Sequence, residues 1–130
     1  MMMNNFDISA IREEVMDIVT NLGVSQKVLP NRPKATSPAS DFVVVSLVNG
    51  VSDLAAYGDC TIRIDLFAKD VDGIINDRKL SNMYQRLVTG FPAESGRLLF
   101  DKEWNILGDT PDDFGFHARL IRIKTTIKAI

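Results

Sequence analysis

Few side chains in this sequence have both the type and the spacing that catalysis or metal binding requires. The chain has one cysteine, Cys60, and one histidine, His117. A single thiol rules out an internal disulfide and a cysteine-based zinc site, and one imidazole excludes sites that need two histidines from one subunit. Cys60 is expected to be a small apolar filler, and a lone strand histidine is usually structural or exposed. Because the sequence also has no glycine-rich phosphate loop, we predict neither enzymatic activity nor a cofactor.

Two acidic segments have ligand types that a cation could use. Residues 70–73, Asp-Val-Asp-Gly, resemble the start of a calcium loop but lack its further acidic positions and its closing glutamate. Capping of a following helix by Asp72, with Asp70 favouring the helix N-terminus, explains this segment better. The second segment has no histidine or cysteine nearby, so its carboxylates are expected to be solvated in a turn. These carboxylates are Asp109, Asp112 and Asp113.

Basic and aromatic side chains are the candidates for contact with other chains. Lys plus Arg is 15 and Asp plus Glu is 17, and a net charge of -2 is unlike the basic excess of a generic nucleic-acid binder. The last strand is basic, but it lacks the interleaved aromatics that stack bases, and we favour a role in protecting a sheet edge from aggregation. A tryptophan in a polar loop either folds back on the core or contacts another chain. The predicted interface residues are Trp104, Phe91, Arg63, Arg119 and Arg122.

Two helices are predicted to position these residues. The first extends from about 7 to 22, with Asp7 or Asn5 as its N-cap and Gly23 as its stop. Its apolar residues recur at helical spacing and form one stripe. This stripe consists of Phe6, Ile8, Ile11, Val15, Ile18, Val19 and Leu22. The second helix is predicted from about 73 to 89.

A connector and a β-hairpin are predicted between the two helices. Residues 24–41 contain three prolines, which indicates an extended connector that either crosses the surface or serves as an interaction arm. Strands follow at 42–48 and at 60–68, and alternation in the second predicts one apolar and one polar face. The reversal between them is expected at residues 49–50, Asn-Gly, or at residues 58–59, Gly-Asp.

The end of the chain is predicted to form a short strand at 97–100 and a long one at 114–128. In the long strand the apolar residues change face midway, which indicates either a bulge or burial first on one side and then on the other. Residues 101–113 between them are expected to form a polar loop. The order helix, strand, strand, helix, strand, strand predicts one α+β domain over residues 1–130, with two helices packed on an antiparallel or mixed sheet. No apolar run is long enough to span a membrane, and residues 1–5 do not resemble a signal peptide, so we expect an intracellular protein.

This order of elements resembles the tail terminator (tail completion) proteins of long-tailed bacteriophages and prophages. The resemblance is carried by the strand Phe-Val-Val-Val at 42–45, by Thr-Ile-Arg-Ile-Asp-Leu-Phe-Ala at 61–68, by a helix at 80–87 and by Phe-His-Ala-Arg-Leu-Ile-Arg-Ile at 116–123. It covers nearly the whole chain as a pattern of elements and not as a signature motif. The connector at 30–40 and the segment 102–114 match no motif of the family.

The resemblance implies a structural protein that forms a homo-oligomeric ring, commonly a hexamer. Such a ring caps the finished tail tube and offers a docking surface to the head, so the implied partners are the tail tube protein and a head-connector protein. The implied location is the virion tail, after assembly in the bacterial cytoplasm. No membrane and no sequence-specific nucleic acid is implied. A head-closure or minor tail protein, or a small cytoplasmic adaptor or ligand-binding domain, remains an alternative. We expect the ring contacts in the hairpin at 42–68 or around Trp104.

Overall fold

The computed structural model describes residues 7–33, 40–53 and 57–128. Within these residues, two helices pack on a mixed sheet of seven strands, which confirms the predicted α+β class. The elements in chain order are α1 (Ile8–Asn21), β1 (Val28–Leu29), β2 (Asp41–Asp53), β3 (Tyr57–Lys69), α2 (Asp77–Gly90), β4 (Glu94–Ser95), β5 (Leu98–Phe100), β6 (Asn105–Pro111) and β7 (Phe116–Lys128).

The centre of the sheet consists of β2, β3 and β7, each 13 residues long and antiparallel to its neighbour. On the outer side of β2, β1 pairs in parallel with Val43 and Val44 only. On the far side of β7, β5 pairs with its last residues and β6 with its first ones, while β4 pairs with β5. The basic strand β7 is therefore interior. Our prediction that its charges protect a sheet edge is wrong, because β5 and β6 already cover that side.

The β2–β3 hairpin is longer than predicted, and neither predicted reversal is correct. The two strands remain paired from Asp41↔Ala68 to Asp53↔Gly58, so the chain reverses between Asp53 and Tyr57. The Asn-Gly pair at 49–50 lies instead at a register shift within β2. Here cross-strand pairing overrides the turn preference of the dipeptide, and the extra residues form an irregularity in the strand.

One face of the sheet is covered by both helices and contains the main core. From α1, Ile11, Val15 and Val19 are buried on this face. From α2, the side chains of Leu80, Met83 and Leu87 are buried there as well. This confirms the helical stripes in their central residues, whereas Ile8 at the start of α1 is 43% exposed. Asp7 occupies the N-cap position without a capping side-chain hydrogen bond, and Asn5 and Phe6 lie outside the described residues.

The other face of the sheet carries a second, smaller apolar cluster. Phe42 stacks on Phe67 with ring centroids 4.5 Å apart, and Phe116 meets Phe42 edge-on at 5.3 Å. The cluster contains Phe42, Val44, Phe67, Phe116 and Ala118. The strands β3 and β7 pair without a register shift. The change of apolar face within β7 therefore comes from burial first on this side and then on the helix side, and not from a bulge between these strands.

The predictions for the segment that precedes α2 are wrong for an identifiable reason. The segment 70–73 is not a helix cap: Asp72 and Gly73 have φ of 52° and 76°, and a bridge from Val71 to Ile74 closes a tight turn. The helix α2 begins at Asp77, and its N-cap is Asn76, whose side chain accepts a 3.1 Å hydrogen bond from the Lys79 amide.

The connector and the expected loop at 101–113 both contain strand. Residues 28–29 of the connector form β1, while residues 34–39, including Ser37 and Pro38, lie outside the described residues. Most of the expected loop forms β6, because Ile106 and Leu107 find partners in Ile121 and Leu120 of β7. The segment is too short and too polar for its periodicity to indicate a strand, so the pairing partner decides its conformation.

Candidate interaction surface

An apolar groove lies between the end of α2 and the strands β5 and β6, on the helix-covered face. It encloses about 350 Å³. Its apolar lining residues are Tyr84, Val88, Phe91, Pro92, Ala93, Phe100, Trp104 and Ile106, and Asp101 and Lys102 complete its wall. The groove thus contains two of the predicted interface residues, Trp104 and Phe91, which are 13 residues apart in the sequence.

The shape of the groove depends on where two secondary-structure elements, α2 and β5, end. The helix α2 ends at Gly90, and Phe91 continues in an extended conformation that turns its ring toward β5. Trp104 lies in the short interruption between β5 and β6. The Phe91 ring meets Trp104 edge-on at 5.2 Å and Phe100 at 4.8 Å, which are favourable aromatic arrangements. Trp104 therefore folds back onto the core with part of its surface still exposed.

The floor of the groove continues to an open strand edge. In β6, Ile106 is 43% exposed although it points to the apolar, helix-covered face. Among the described residues, β6 pairs with β7 alone, so its outer edge carries backbone groups without a strand partner. Ile106 and this edge were not predicted, since the segment was expected to be a loop.

A second open edge lies at the opposite side of the sheet. In the part of the chain that the structure describes, β1 covers only two residues of β2, and the rest of β2 has no neighbour on its outer side. Leu47 and Val51 in this uncovered part are partly buried and pack against the main core. The predicted hairpin surface therefore contains a strand whose outer edge is largely unpaired, with apolar residues on its helix-covered face.

Arg119 lies next to the groove but is held by an ion pair. Its Nε donates to Asp109 Oδ1 at 2.8 Å and its Nη2 to Oδ2 at 3.0 Å, while its guanidinium lies 5.9 Å from the Tyr84 ring centroid. The hydrogen bond to Asp109 raises the pKa of Arg119 above its usual value. Asp109 is thus a strand residue in a bidentate pair and not the solvated turn carboxylate that we expected.

Arg63 and Arg122 lie opposite each other on the other face of the sheet, where helices do not pack. Arg63 Nε donates to both carboxylate oxygens of Asp65, at 2.8 and 3.1 Å. Asp65 is 4% exposed, so the face of β3 that was expected to be polar and exposed is in fact partly buried. Burial raises the pKa of the Asp65 carboxyl, although the nearby Arg63 and Arg122 act to lower it. The Arg122 Nε is buried without a hydrogen-bond partner. The five predicted interface residues therefore do not form one surface.

The neighbours of the single thiol and of the single imidazole indicate structural roles for both side chains. Cys60 is buried in the main core, where burial and then the charge of Asp59 raise its thiol pKa to about 11, so it is an apolar filler as predicted. His117 Nδ1 lies 2.6 Å from Asp70 Oδ1, a pair that the sequence did not suggest because 47 residues separate the two. Among the described residues, no group of three histidine, cysteine or acidic side chains could hold a metal ion.

The carboxylate of Asp112 is also paired and not solvated. It accepts hydrogen bonds from Arg32 and from the amides of Phe114 and Phe116. Burial alone would raise the pKa of Asp112, but the hydrogen bonds from Arg32 and the two amides, with the Arg32 charge, outweigh it and lower the pKa. No sequence pattern indicates this pair, since Arg32 lies in the proline-rich connector.

No described helix has the length and apolarity to cross a membrane. A scan of the whole chain against protein-family models finds no match, and a search of curated proteins finds no significantly similar sequence.

Proposed function

We propose that this chain is a structural subunit that assembles head to tail into a closed ring, as tail terminator proteins of long-tailed bacteriophages do. The observation that carries the proposal is that, among the described residues, β2 on one side of the sheet and β6 on the other both have open edges. Open edges of this kind are sites at which a strand of another chain can add to the sheet.

The directions of the two edge strands suit such an arrangement. Each of the pairs β2–β3, β3–β7 and β7–β6 is antiparallel, so β2 and β6 run in opposite directions. A second copy that is placed beside β6 with its strands in the same orientation brings its own β2 antiparallel to β6. The contact joins two different surfaces, so repeated rotation closes a ring when the angle permits.

The side chains at the two edges are also compatible with this contact. Ile106 on β6 and Leu47 and Val51 on β2 all point to the helix-covered face. Pairing the two edges would extend the apolar layer of one subunit into the next and would cover the exposed part of Ile106. The groove with Trp104 and Phe91 borders the same edge, which makes it part of the proposed contact.

The assignment to the tail terminator type adds specific partners to the ring. The succession of helix, hairpin, helix and closing strands that carries the resemblance is present in the described residues. On this assignment the ring belongs to the virion tail, caps the tail tube and presents a face to the head. Head-closure and minor tail proteins are related candidates for the same subunit.

A small ligand-binding domain is the second candidate function, because the groove has a volume at the lower end of small-molecule sites. In that case the groove would take up an apolar compound, and the chain would act without forming a ring.

The test is the solution mass by light scattering over a concentration series, followed by negative-stain imaging of the largest species. We expect a closed ring, with hydrogen exchange in β6 slowed above the assembly concentration. A monomer at all concentrations, with unchanged exchange in β6, would contradict the ring and leave the ligand-binding alternative for testing.

A further inference from the structure

The second apolar cluster is covered in an unusual way. Phe42, Phe67 and Phe116 are almost completely buried, yet both helices pack on the opposite face of the sheet. Part of the cover comes from residues 28–33 of the connector, which we call the strap. The first residues of the strap form β1 beside β2, Leu29 packs against the cluster, and Arg32 lies over its rings.

Arg32 closes the strap through two kinds of contact. Its guanidinium carbon lies 4.6 Å from the ring centroid of Phe114 and between 5.5 and 5.7 Å from those of Phe42, Phe67 and Phe116. Its Nε and Nη2 donate to Asp112 Oδ2 at 3.1 and 2.6 Å. Cation–π and charge-assisted hydrogen bonds therefore act on the same group.

Asp112 is itself fixed by the chain that follows it. Its Oδ1 accepts from the amides of Phe114 at 2.8 Å and Phe116 at 3.0 Å, and its own amide donates to the Phe116 carbonyl at 2.9 Å. The acceptor for Arg32 is therefore held by the start of β7, so the strap is joined to the centre of the sheet across 80 residues of sequence.

The remaining attachment of the strap is short. The strand β1 has two residues, and the Val43 amide donates to the Lys27 carbonyl at 2.9 Å. Segments with so few backbone hydrogen bonds open at lower free energy than the sheet to which they attach. The pair of Arg32 with Asp112 therefore joins a weakly attached segment to a stable element.

We propose that residues 28–33 form a strap that opens separately from the rest of the fold, with Arg32 and Asp112 as its latch, and that opening uncovers the aromatic cluster. The strap is a conformational device for exposing an apolar surface in a chain that stays folded. It does not depend on the proposed ring.

Limited proteolysis with trypsin, with cleavage sites identified by mass spectrometry, tests the latch. Cleavage after Lys27 reports opening of the strap, and cleavage after Lys124 in β7 reports opening of the whole sheet. The variants are Arg32→Gln and Asp112→Asn, the second of which keeps the Oδ1 acceptor of the turn while removing the carboxylate charge. Asp113→Asn is the matched control, because Asp113 is an exposed neighbouring carboxylate.

We expect both latch variants to be cleaved after Lys27 about tenfold faster than the wild type, as loss of about 1.4 kcal/mol implies. Cleavage after Lys124 should rise by no more than the same factor, because loss of the latch also lowers the free energy of global unfolding, and it should stay much slower than cleavage after Lys27. Fluorescence of the apolar dye ANS should rise. The Asp113→Asn control should behave as the wild type. Unchanged cleavage after Lys27 would show that the latch does not hold the strap. Equal cleavage rates after Lys27 and after Lys124, in the wild type and in both latch variants, would show that the strap does not open separately. Either result overturns the inference.

Discussion

Ile106 gives the most direct test of edge-to-edge assembly. Its side chain is 43% exposed in the single chain and would be covered by a neighbouring β2. Complete burial of an isoleucine side chain is worth about 2 kcal/mol, so covering the remaining surface contributes about 1 kcal/mol to each contact. The substitution Ile106→Lys removes this contribution and places a charge in the proposed contact between β6 of one subunit and β2 of the next.

Six subunits join in five association steps, but the closed hexamer has six contacts. The association free energy that is lost per step is therefore slightly larger than the loss per contact. A loss of about 1.2 kcal/mol per step raises the midpoint concentration of assembly about sevenfold. This is a lower bound, because burying a lysine ammonium costs additional free energy. Light scattering over a concentration series measures the midpoint directly.

The control for this variant is Ile8→Lys, which makes the same chemical change at a residue with the same 43% exposure, at the start of α1. We expect its assembly midpoint to equal that of the wild type. If Ile106→Lys assembles at the wild-type midpoint, or if both variants shift equally, the β6 edge is not the contact and the reasoning from open strand edges is refuted.

Three further predictions concern the two apolar clusters and the latch. Replacing Trp104 with alanine should lower the free energy of unfolding by about 2 kcal/mol in urea titration and should raise the assembly midpoint; an unchanged midpoint would remove Trp104 from the interface. Phe42→Ala should lower the free energy of unfolding by about 4 kcal/mol, because its ring is fully buried. Phe114→Ala should lower it by about 1 kcal/mol or less, since Phe114 is 49% exposed. Equal losses of stability in the two variants would show that the second cluster is not a core. Because the pKa of Asp112 is lowered in the folded chain, its stabilising contribution is complete well above pH 4 and is lost as the pH falls below about 4. The stability difference between wild type and Asp112→Asn in urea should therefore shrink in acid, and a difference that grows there would contradict the pair.

Elements with strong periodicity were predictable from the sequence. Both helices and the central strands appear where the spacing of apolar residues indicated, since burial of one face forces the 3.6-residue or two-residue repeat onto the chain. The change of face within β7 was also visible, because Phe116 and Ala118 differ in parity from Ile121 and Ile123. The structure selects between the two explanations that the sequence allowed.

Apart from β5, which was predicted at 97–100, the short strands and the turns were not predictable, and the candidate surface depends on them. The strand β6 exists because β7 offers it a partner, and the reversal of the hairpin was misplaced because pairing along 13 residues outweighs the local preference of Asn-Gly. Trp104 was named as an interface residue because it is a tryptophan in a segment expected to be a polar loop, and Phe91 was named with it. Their meeting in one groove depends on where α2 and β5 end.

By itself, the sequence determined the class of the fold, the apolar faces of its helices and long strands, and the lack of the thiol and imidazole pairs that many sites require. The tertiary structure alone decided which strands have open edges and which carboxylates are paired. It placed Arg119 with Asp109, His117 with Asp70 and Arg32 with Asp112. The physical reason is that periodicity records local burial, whereas an edge or an ion pair depends on partners beyond the local repeat, which in these three pairs lie 10, 47 and 80 residues away.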